Sequence, residues 1–314
     1  MAEIVNVDNF VRAETARMFD GTLAQSGAVN GWVHLRGPAP LDRQAVIRMN
    51  RDTLYSAAIV DIRDGATLTV PDVGDRYLSV MVINEDQFID RVIRGPGDHD
   101  LTVAEYGTPY VMLGVRMFVD PDDPADVAAV NRLQDQLKVD AASAVPYTHA
   151  EFDADSLDVT RTALLELSQG IPDMMRTFGS RRHVDPVRFL IGAASGWGGL
   201  PEDEAFYVVN TTPRPSGRYQ MTFRDVPVEA FWSVTVYNRD GFLEPNEFDT
   251  YSLNSVTAVS DEDGSVTIDL APTPGDHGNH LYVMDGWNYT VRLYRPRPEI
   301  LEGRWTVPAP EPAG

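Results

Sequence analysis

The sequence predicts an α+β protein, mostly β, in which a helical segment separates two β-rich modules of sandwich or jelly-roll type. Short runs of β-branched and aromatic residues, divided by Gly, Pro, Asn and Asp, fill the first and last thirds of the chain. The middle third instead repeats apolar residues at helical spacing. With 314 residues, 43% of them apolar, the chain is long enough for two domains with cores of their own. The expected boundaries are 1–121 for the N-terminal module, 122–199 for the helical segment and 200–314 for the C-terminal module.

The N-terminal module is predicted to begin with a helix over residues 6–24, where Val7, Phe10, Val11 and Met18 recur at helical spacing. A short extended piece at 32–36 follows it. Turn pairs such as Asp-Gly and Gly-Pro then separate six predicted strands, at 54–61, 66–70, 76–83, 87–94, 99–103 and 110–118. Strands in such quick succession favour antiparallel pairing over a parallel sheet with crossover helices.

The helical segment is predicted to start at Asp122-Asp123-Pro124, because an acidic cap and a proline in the first turn favour a helix start. A second helix from Asp155 carries an apolar stripe to Phe178, which Pro172 kinks or splits. A third helix is expected at 186–192. The C-terminal module then shows strand patterns at 206–211, 218–223, 230–237, 265–270, 280–284 and 288–294.

The charge of the chain excludes two classes of partner. Twenty-six basic and 47 acidic residues give a net charge of −21. A protein this acidic repels nucleic-acid phosphates and anionic lipid, so we expect neither nucleic acid nor a membrane as a partner. The segment 1–6 lacks the basic and apolar regions of a signal peptide, which predicts a cytoplasmic protein. A small-molecule ligand or substrate is the expected partner, and a homo-oligomer is compatible with the sequence.

Several kinds of chemistry are not expected. The absence of cysteine excludes thiol nucleophiles, disulfides and cysteine zinc sites. The single lysine, Lys138, closes a polar helical pattern and makes a Schiff base with pyridoxal phosphate improbable. The glycine-rich stretch 192–201 fits neither a nucleophile elbow nor a dinucleotide fingerprint, and is interpreted as a hinge or packing loop. His277 and His280 lack a third ligand at a diagnostic spacing. We therefore expect no cofactor and no metal site.

Polar chemistry is concentrated at residues 48–56, directly before the apolar run 57–60. In a functional interpretation Asp52 is a general base and Tyr55 an acid, while Arg48, Asn50 and Arg51 bind substrate. In a structural interpretation Asp52 caps the turn into the strand and pairs with an arginine in a rigid network. Strand alternation puts Arg51 and Tyr55 on one face, and Asp52 joins them only if the chain bends before Thr53.

Three further positions carry candidate site residues. Glu85 and Asp86 end an apolar strand and are either paired catalytic carboxylates or the start of a turn. His34 is the best candidate for a catalytic histidine, against a structural role in its strand. A tryptophan beside an amide and a guanidinium suggests binding of sugars or aromatic molecules, against a tryptophan that closes the end of the sandwich; these residues are Trp287, Asn288 and Arg292.

Specific residues resemble a known pair of modules. The first resembles domain of unknown function 1254, through Asn50-Arg51-Asp52-Thr53-Leu54-Tyr55-Ser56, Arg76-Tyr77 and Ile83-Asn84-Glu85-Asp86. The second resembles domain of unknown function 1214, through Phe231-Trp232-Ser233-Val234-Thr235-Val236-Tyr237-Asn238, Asp263-Gly264-Ser265, the run 291–301 and Trp305. The resemblance spans nearly the whole chain. It implies two β-rich domains with helices between or around them, and it implies no common reaction.

Three functions are compatible with these features, and whether the protein is an enzyme is left open. The first is a cofactor-independent enzyme, with hydrolase or lyase/isomerase acid–base chemistry on a small polar, anionic or carbohydrate-like molecule. The second is a non-catalytic binding or assembly protein in which the polar residues form a structural network. The third is a metal-dependent hydrolase.

Overall fold

The chain forms two compact units in the computed structural model, which describes residues 2–44, 47–171, 173–275 and 278–313. Unit 1 comprises Met1–Arg36, Leu54–Phe118 and Pro124–Pro201. Unit 2 comprises Gly37–Thr53, Val119–Asp123 and Glu202–Gly314. This division differs from the expected three segments in two ways: most of the helical segment belongs to unit 1, and residues 37–53 belong to unit 2.

Unit 1 combines two antiparallel sheets with helices. Its helices are α1 (Phe10–Ser26), α2 (Val103–Tyr106), α3 (Pro124–Gln134), α4 (Ala154–Leu167) and α5 (Pro186–Gly196). Its strands are β1 (Trp32–His34), β2 (Thr53–Asp61), β3 (Ala66–Val70), β4 (Leu78–Asn84), β5 (Ile89–Ile93), β6 (Gly97–Leu101), β7 (Tyr110–Phe118) and β8 (Lys138–Ala141), with Thr53 itself counted in unit 2.

The larger sheet of unit 1 has the strand order β1-β2-β7-β4-β5, and the smaller has the order β6-β3-β8. Every residue of β4 is buried, and four consecutive apolar residues at 80–83 form its centre, so both faces of this strand are covered. Helices α1, α4 and α5 pack together around Phe10, Leu157 and Ile191. The turn between β4 and β5 presents Glu85 and Asp86, and Glu85 is buried there.

Unit 2 is a two-sheet sandwich. Its strands are β9 (Ala205–Arg214), β10 (Tyr219–Phe223), β11 (Trp232–Tyr237), β12 (Ser252–Asn254), β13 (Val266–Ala271), β14 (His280–Tyr282), β15 (Trp287–Tyr294) and β16 (Glu311–Pro312), and α6 (Pro298–Leu301) follows β15. One sheet has the order β12-β11-β15-β9 and the other β14-β13-β10-β16. Both sheets contribute apolar side chains to one core, including Val234, Val291 and Ile268.

The predicted fold class, α+β and mostly β, is confirmed. Most predicted strands agree with the observed ones to within two residues, and β3 and β7 agree at both ends. The strands missed are short: β8, β12 and β16 have four, three and two residues, too few to show an alternation. Lys138, expected to close a helix, instead begins β8 opposite Thr69.

Two helices differ from their predicted bounds. Helix α1 begins at Phe10 instead of residue 6, and Val7 is exposed. Helix α4 ends at Leu167, well before the predicted end of its apolar stripe; Pro172 lies outside the described residues. Across the part of the chain that is described, no helix combines the length and the apolar character needed to cross a membrane.

The glycine-rich stretch 192–201 is partly helical, because α5 continues to Gly196. Its glycines allow close packing on residues 177 and 178. A Cβ atom on Gly192 would lie 2.3 Å from Thr177 Cγ2, and one on Gly199 would lie 2.2 Å from Phe178 Cε2. The sequence suggested either a hinge or a packing loop for this stretch, and these contacts fit a packing loop.

Candidate functional site

The β11–β15 pair of unit 2 has one apolar face and one polar face, and both are buried. Strand alternation sends Val234 and Val291 into the sandwich core. The opposite face carries seven side chains, each at most 4% exposed: Ser233, Thr235, Tyr237, Asn288, Thr290, Arg292 and Tyr294. Buried polar groups are costly unless they are hydrogen-bonded, so this face must be matched by other polar groups.

Arg292 is at the centre of the polar face. It donates hydrogen bonds to Thr235 Oγ1 at 2.7 Å, to Tyr237 Oη at 2.8 Å and to the carbonyl of Arg48 at 2.9 Å. Burial by itself lowers the pKa of Arg292, but the interactions with Tyr237, Tyr294 and Asp52 raise the pKa above its usual value. The guanidinium therefore remains charged although it is almost fully buried.

Residues 48–52 are held on this polar face by hydrogen bonds. Tyr237 Oη donates to the carbonyl of Met49 at 2.9 Å, and Asn50 Nδ2 donates to Tyr294 Oη at 2.9 Å. The backbone N–H of Asp52 donates to Asn50 Oδ1 at 2.9 Å, which forms a turn closed by the asparagine side chain. Strand β2 begins only at Thr53. The chain thus bends before Thr53, which was the predicted condition for Asp52 to join Arg51 and Tyr55, but the contacts described for Arg51 and Tyr55 are with other residues.

Asp52 is fully buried, and neither of its carboxyl oxygens accepts a hydrogen bond of good geometry from the described residues, although Ser233, Ser252 and Asn254 are polar neighbours of the carboxyl group. Burial raises its pKa above the usual value. Arg292 lowers the pKa in part, as do the nearby polar side chains of Ser233, Ser252 and Asn254, without cancelling the effect of burial. A carboxyl group in this state keeps its proton at a higher pH than an exposed aspartic acid does. A raised pKa is a common property of carboxyl groups that transfer protons in enzymes.

Arg48 occupies a backbone conformation that arginine rarely adopts, with φ +57°. Its N–H donates to the carbonyl of Gly241 at 2.8 Å. Its guanidinium lies 5.5 Å from the centroid of the Tyr237 ring and donates through Nη1 to Asn288 Oδ1 at 2.6 Å. We refer to the connected residues Arg48, Asn50, Asp52, Tyr237, Asn288, Arg292 and Tyr294 as the Asp52 network.

Two residues predicted to bind substrate, Arg51 and Trp287, make the contacts described below with residues outside the Asp52 network. Arg51 donates to the carbonyl of Ala39 at 2.8 Å and lies 5.1 Å from the centroid of the Tyr251 ring. Trp287 is fully buried in the sandwich core, where its indole N–H donates to the carbonyl of Pro215 at 3.1 Å. Its ring therefore presents no surface to a sugar or an aromatic molecule.

Glu85 and Asp86 form a second polar cluster, which belongs to unit 1. Arg12 of α1 pairs with both carboxylates, and Glu85 also accepts a hydrogen bond from the N–H of Tyr110 at 3.2 Å. Burial raises the pKa of Glu85, while Arg12 lowers it in part. The hydroxyl of Tyr147, which is near enough to this cluster to interact with Glu85 and Arg12, has no hydrogen-bond partner among the described residues. We call Arg12, Glu85, Asp86, Tyr110 and Tyr147 the Glu85 cluster.

His34 and Tyr55, the other predicted catalytic residues, make separate contacts in unit 1. His34 Nδ1 is 2.8 Å from Ser56 Oγ, the residue directly opposite it on β2. Burial and the charge of Arg36 lower the pKa of His34, so the ring is neutral at neutral pH. The ring of Tyr55 lies 5.4 Å from the Arg116 guanidinium. Asp52 belongs to unit 2, so the predicted catalytic set is divided between the two units.

Sequence reasoning missed several members of both sites. The residues concerned are Tyr237, Tyr294, Ser233, Arg12 and Tyr147. A signal for the first three was present, because β11 and β15 alternate apolar residues with polar ones instead of with charged, solvated ones. No such signal is present for Arg12, in helix α1, or for Tyr147, in a loop, because both come near Glu85 only when the chain is folded.

Among the side chains that the structure describes, no three or more His, Asp or Glu residues are grouped so that they could hold a metal ion. His280 Nε2 is 2.9 Å from the carbonyl of Ala271. His277, its potential partner in sequence, lies outside the described residues.

Two family models match the chain. Residues 29–89 match Protein of unknown function (DUF1254), and residues 210–298 match Protein of unknown function (DUF1214). The predicted pairing of these two modules, in this order, is confirmed. Asn50 and Asp52 lie in the first match, whereas Tyr237 and Arg292 lie in the second, so both matched segments contribute to the Asp52 network.

The fold is similar to that of solved structures. A protein from Vibrio parahaemolyticus is 18% identical, with a TM-score of 0.75 and 98% of each chain covered. An uncharacterised protein from Burkholderia cenocepacia is 15% identical, with a TM-score of 0.52, 96% of this chain and 85% of that chain covered. At these identities the similarity concerns the fold alone. No curated protein matches this sequence.

Proposed function

We propose that the protein is a cofactor-independent enzyme that performs acid–base chemistry on a small polar molecule, with Asp52 as the residue that transfers the proton. One observation carries this proposal: the carboxyl group of Asp52 is fully buried, and neither of its oxygens accepts a hydrogen bond of good geometry from the described residues. An unsatisfied buried polar group costs stability, and such costs are retained most readily where a group is needed for function.

The neighbours of Asp52 support this role. Arg292 supplies a buried positive charge, which stabilises negative charge that develops on a substrate during proton transfer. Tyr237 and Tyr294 supply phenol groups on the same face of the sheet. Arg48 and Asn50 are half-buried, in contrast to Asp52, and are the members of the network that a substrate meets first. Hydrolase and lyase/isomerase reactions both fit this set of groups.

The location of the enzyme is part of the same proposal. We propose that it acts in the cytoplasm, where small polar metabolites are its substrates. The net charge of −21 supports the further expectation that neither nucleic acid nor an anionic membrane is its partner.

One observation favours a second function, that of a non-catalytic protein in which the same residues form a structural network. Asp52 has no exposed surface, and its backbone is hydrogen-bonded on both sides, by Asn50 Oδ1 and by the N–H of Val119. In that case the network fixes residues 48–52 on the sheet and no turnover occurs. The two functions differ in what happens when the carboxyl group is replaced by an amide of the same shape.

The test compares the wild type with Asp52→Asn on a panel of small polar metabolites, with products detected by mass spectrometry. We expect the wild type to convert at least one compound and Asp52→Asn to lose about 100-fold or more of that rate while remaining folded. Asp269→Asn is the matched control, because Asp269 is also buried in unit 2 but bonds to Gln220 on the other sheet. A folded Asp52→Asn protein with full activity would refute the proposed role of Asp52. Absence of turnover for the whole panel would favour the structural network.

A further inference from the structure

On the basis of the function proposed above, we infer that the substrate carries an oxyanion, either a carboxylate or a phosphate group, and that the guanidinium of Arg48 binds it. This names the substrate class for the same site. The geometry of Arg48, the charge balance of the network and its unused hydrogen-bond donors each support the assignment.

The charges of the Asp52 network do not balance. Burial lowers the pKa of Arg48, and the charge of the nearby Arg292 lowers it further, while Tyr237 raises it in part. Within the chain as described, neither guanidinium forms an ion pair with a carboxylate. The charge of Asp52 raises the pKa of Arg292, as do Tyr237 and Tyr294. Arg48 is half-buried and its guanidinium bonds to a neutral amide, so an anionic ligand would supply a counter-charge for it.

Arg48 is fixed in place before any ligand arrives. Its backbone is held at both ends, by Gly241 at the N–H and by Arg292 at the carbonyl. Its guanidinium packs on Tyr237 and bonds through Nη1 to Asn288. Asn288 is itself oriented, because its Nδ2 donates to the carbonyl of Asn238 at 2.6 Å. A residue held at φ +57° by so many contacts indicates a constraint that the local sequence alone would not select.

The unused groups of this arginine suit an oxyanion. Its Nε and Nη2 groups make no hydrogen bond to any described residue, so two N–H edges of the planar fork are available to a ligand. Paired N–H donors of arginine match the two oxygens of a carboxylate or a phosphate. On the same sheet face, the buried hydroxyl of Thr290 also lacks a partner in the described structure. A neutral sugar would leave the arginine charge uncompensated.

The negative charge of the whole protein opposes non-specific binding of anions. With a net charge of −21, the protein repels small anions on average, so an anion binds only where local charge and hydrogen bonds overcome that repulsion. Non-specific attraction therefore cannot produce the expected result, as it could with a basic protein.

The experiment measures binding by calorimetry, with inorganic phosphate, acetate and the neutral analogue acetamide as separate probes at constant ionic strength. We expect acetate or phosphate to bind the wild type and acetamide not to bind. Phosphate binding without acetate binding assigns a phosphorylated substrate, and the reverse assigns a carboxylate. We expect Arg48→Gln to weaken the binding about tenfold or more, because it removes a charge-assisted hydrogen-bond pair. Arg43→Gln is the matched control, since Arg43 lies in the same segment with its side chain 86% exposed.

Arg48 also supports its turn, so Arg48→Lys is included as a second variant that keeps the charge but loses the planar fork. Its affinity should lie between those of the wild type and Arg48→Gln. Equal affinity of wild type and Arg48→Gln for the anion, equal affinity of wild type and Arg48→Lys, or no anion binding by the wild type, would each overturn the inference. Anion binding without turnover of any compound would overturn only the proposed enzyme. Turnover of a neutral substrate without anion binding would overturn only the inference that the substrate carries an oxyanion.

Discussion

The carboxyl group of Asp52 is buried within electrostatic reach of the Arg292 guanidinium, and yet its pKa is raised, because the effect of burial exceeds that of the arginine. If the pair served mainly to stabilise the fold, the pKa of Asp52 would be lowered instead of raised. Burial of a charged Asp52 therefore disfavours the folded protein relative to a neutral group of the same shape, and Arg292 offsets only part of that effect. The stability of the protein should therefore depend on whether Asp52 is charged.

Asp52→Asn should make the protein at least as stable as the wild type at pH 8, and the difference should disappear as the pH falls to about 4. A raised pKa means that the folded state binds more protons than the unfolded state above the unfolded value of 3.8. The unfolding free energy of the wild type therefore falls as the pH rises through this window, by at most about 1.4 kcal/mol per pH unit. Asparagine does not titrate. Urea unfolding of both proteins between pH 4 and pH 8 measures the difference, and a large loss of stability in Asp52→Asn at pH 8 would support the structural network instead.

Arg292→Ala should destabilise the protein by about 3–5 kcal/mol, the usual cost of removing one partner from a buried charged network. The variant leaves Thr235 Oγ1, Tyr237 Oη and the carbonyl of Arg48 without their donor. Arg297→Ala is the control, because Arg297 is exposed and a surface substitution usually changes stability by less than about 0.5 kcal/mol. Urea unfolding at pH 7 separates the two variants. Similar stabilities would mean that the network contributes little to folding.

Tyr110→Phe should destabilise unit 1 by about 1–2 kcal/mol, whereas Tyr147→Phe should be neutral or slightly stabilising. Tyr110 Oη donates to the carbonyl of Val145 at 2.9 Å or to that of Pro146 at 3.1 Å, and it accepts a hydrogen bond from Arg63. The hydroxyl of Tyr147 is buried and has no partner in the described residues, so its loss removes no hydrogen bond. Thermal unfolding of the two variants gives the comparison. Destabilisation of Tyr147→Phe by as much as Tyr110→Phe would show that Tyr147 has a partner in solution.

Gly199→Ala should cost about 1–3 kcal/mol, because its methyl group would overlap the Phe178 ring at 2.2–2.6 Å. Gly21→Ala is the matched variant of opposite sign. Gly21 lies within α1, and no atom is within 4 Å of a Cβ placed there. Alanine stabilises a helix interior by about 0.5–1 kcal/mol relative to glycine. Melting temperatures should therefore move in opposite directions, and a stable Gly199→Ala protein would show that Phe178 is free to move.

The elements of both units could be predicted because their signals are local. The β7 strand is an almost continuous apolar run that begins and ends with an aromatic residue, and α3 carries its own start signal at Pro124. The β8 strand could not be predicted, because four residues gain extended structure mainly from pairing with β3. The end of α4 was also missed, since the apolar stripe continues beyond it and only the packed structure decides where the helix stops.

The order of the residues was enough to locate concentrated polar chemistry at 48–56 and to predict two known modules in succession. Which of these residues come together depended on the fold. Asp52 and Arg292 are 240 positions apart, and the turn closed by Asn50 directs Asp52 toward the sheet while Arg51 turns to Tyr251. The physical reason is that residue type is set by local chemistry, whereas burial and the pairing of charges depend on segments that become neighbours only when the chain folds.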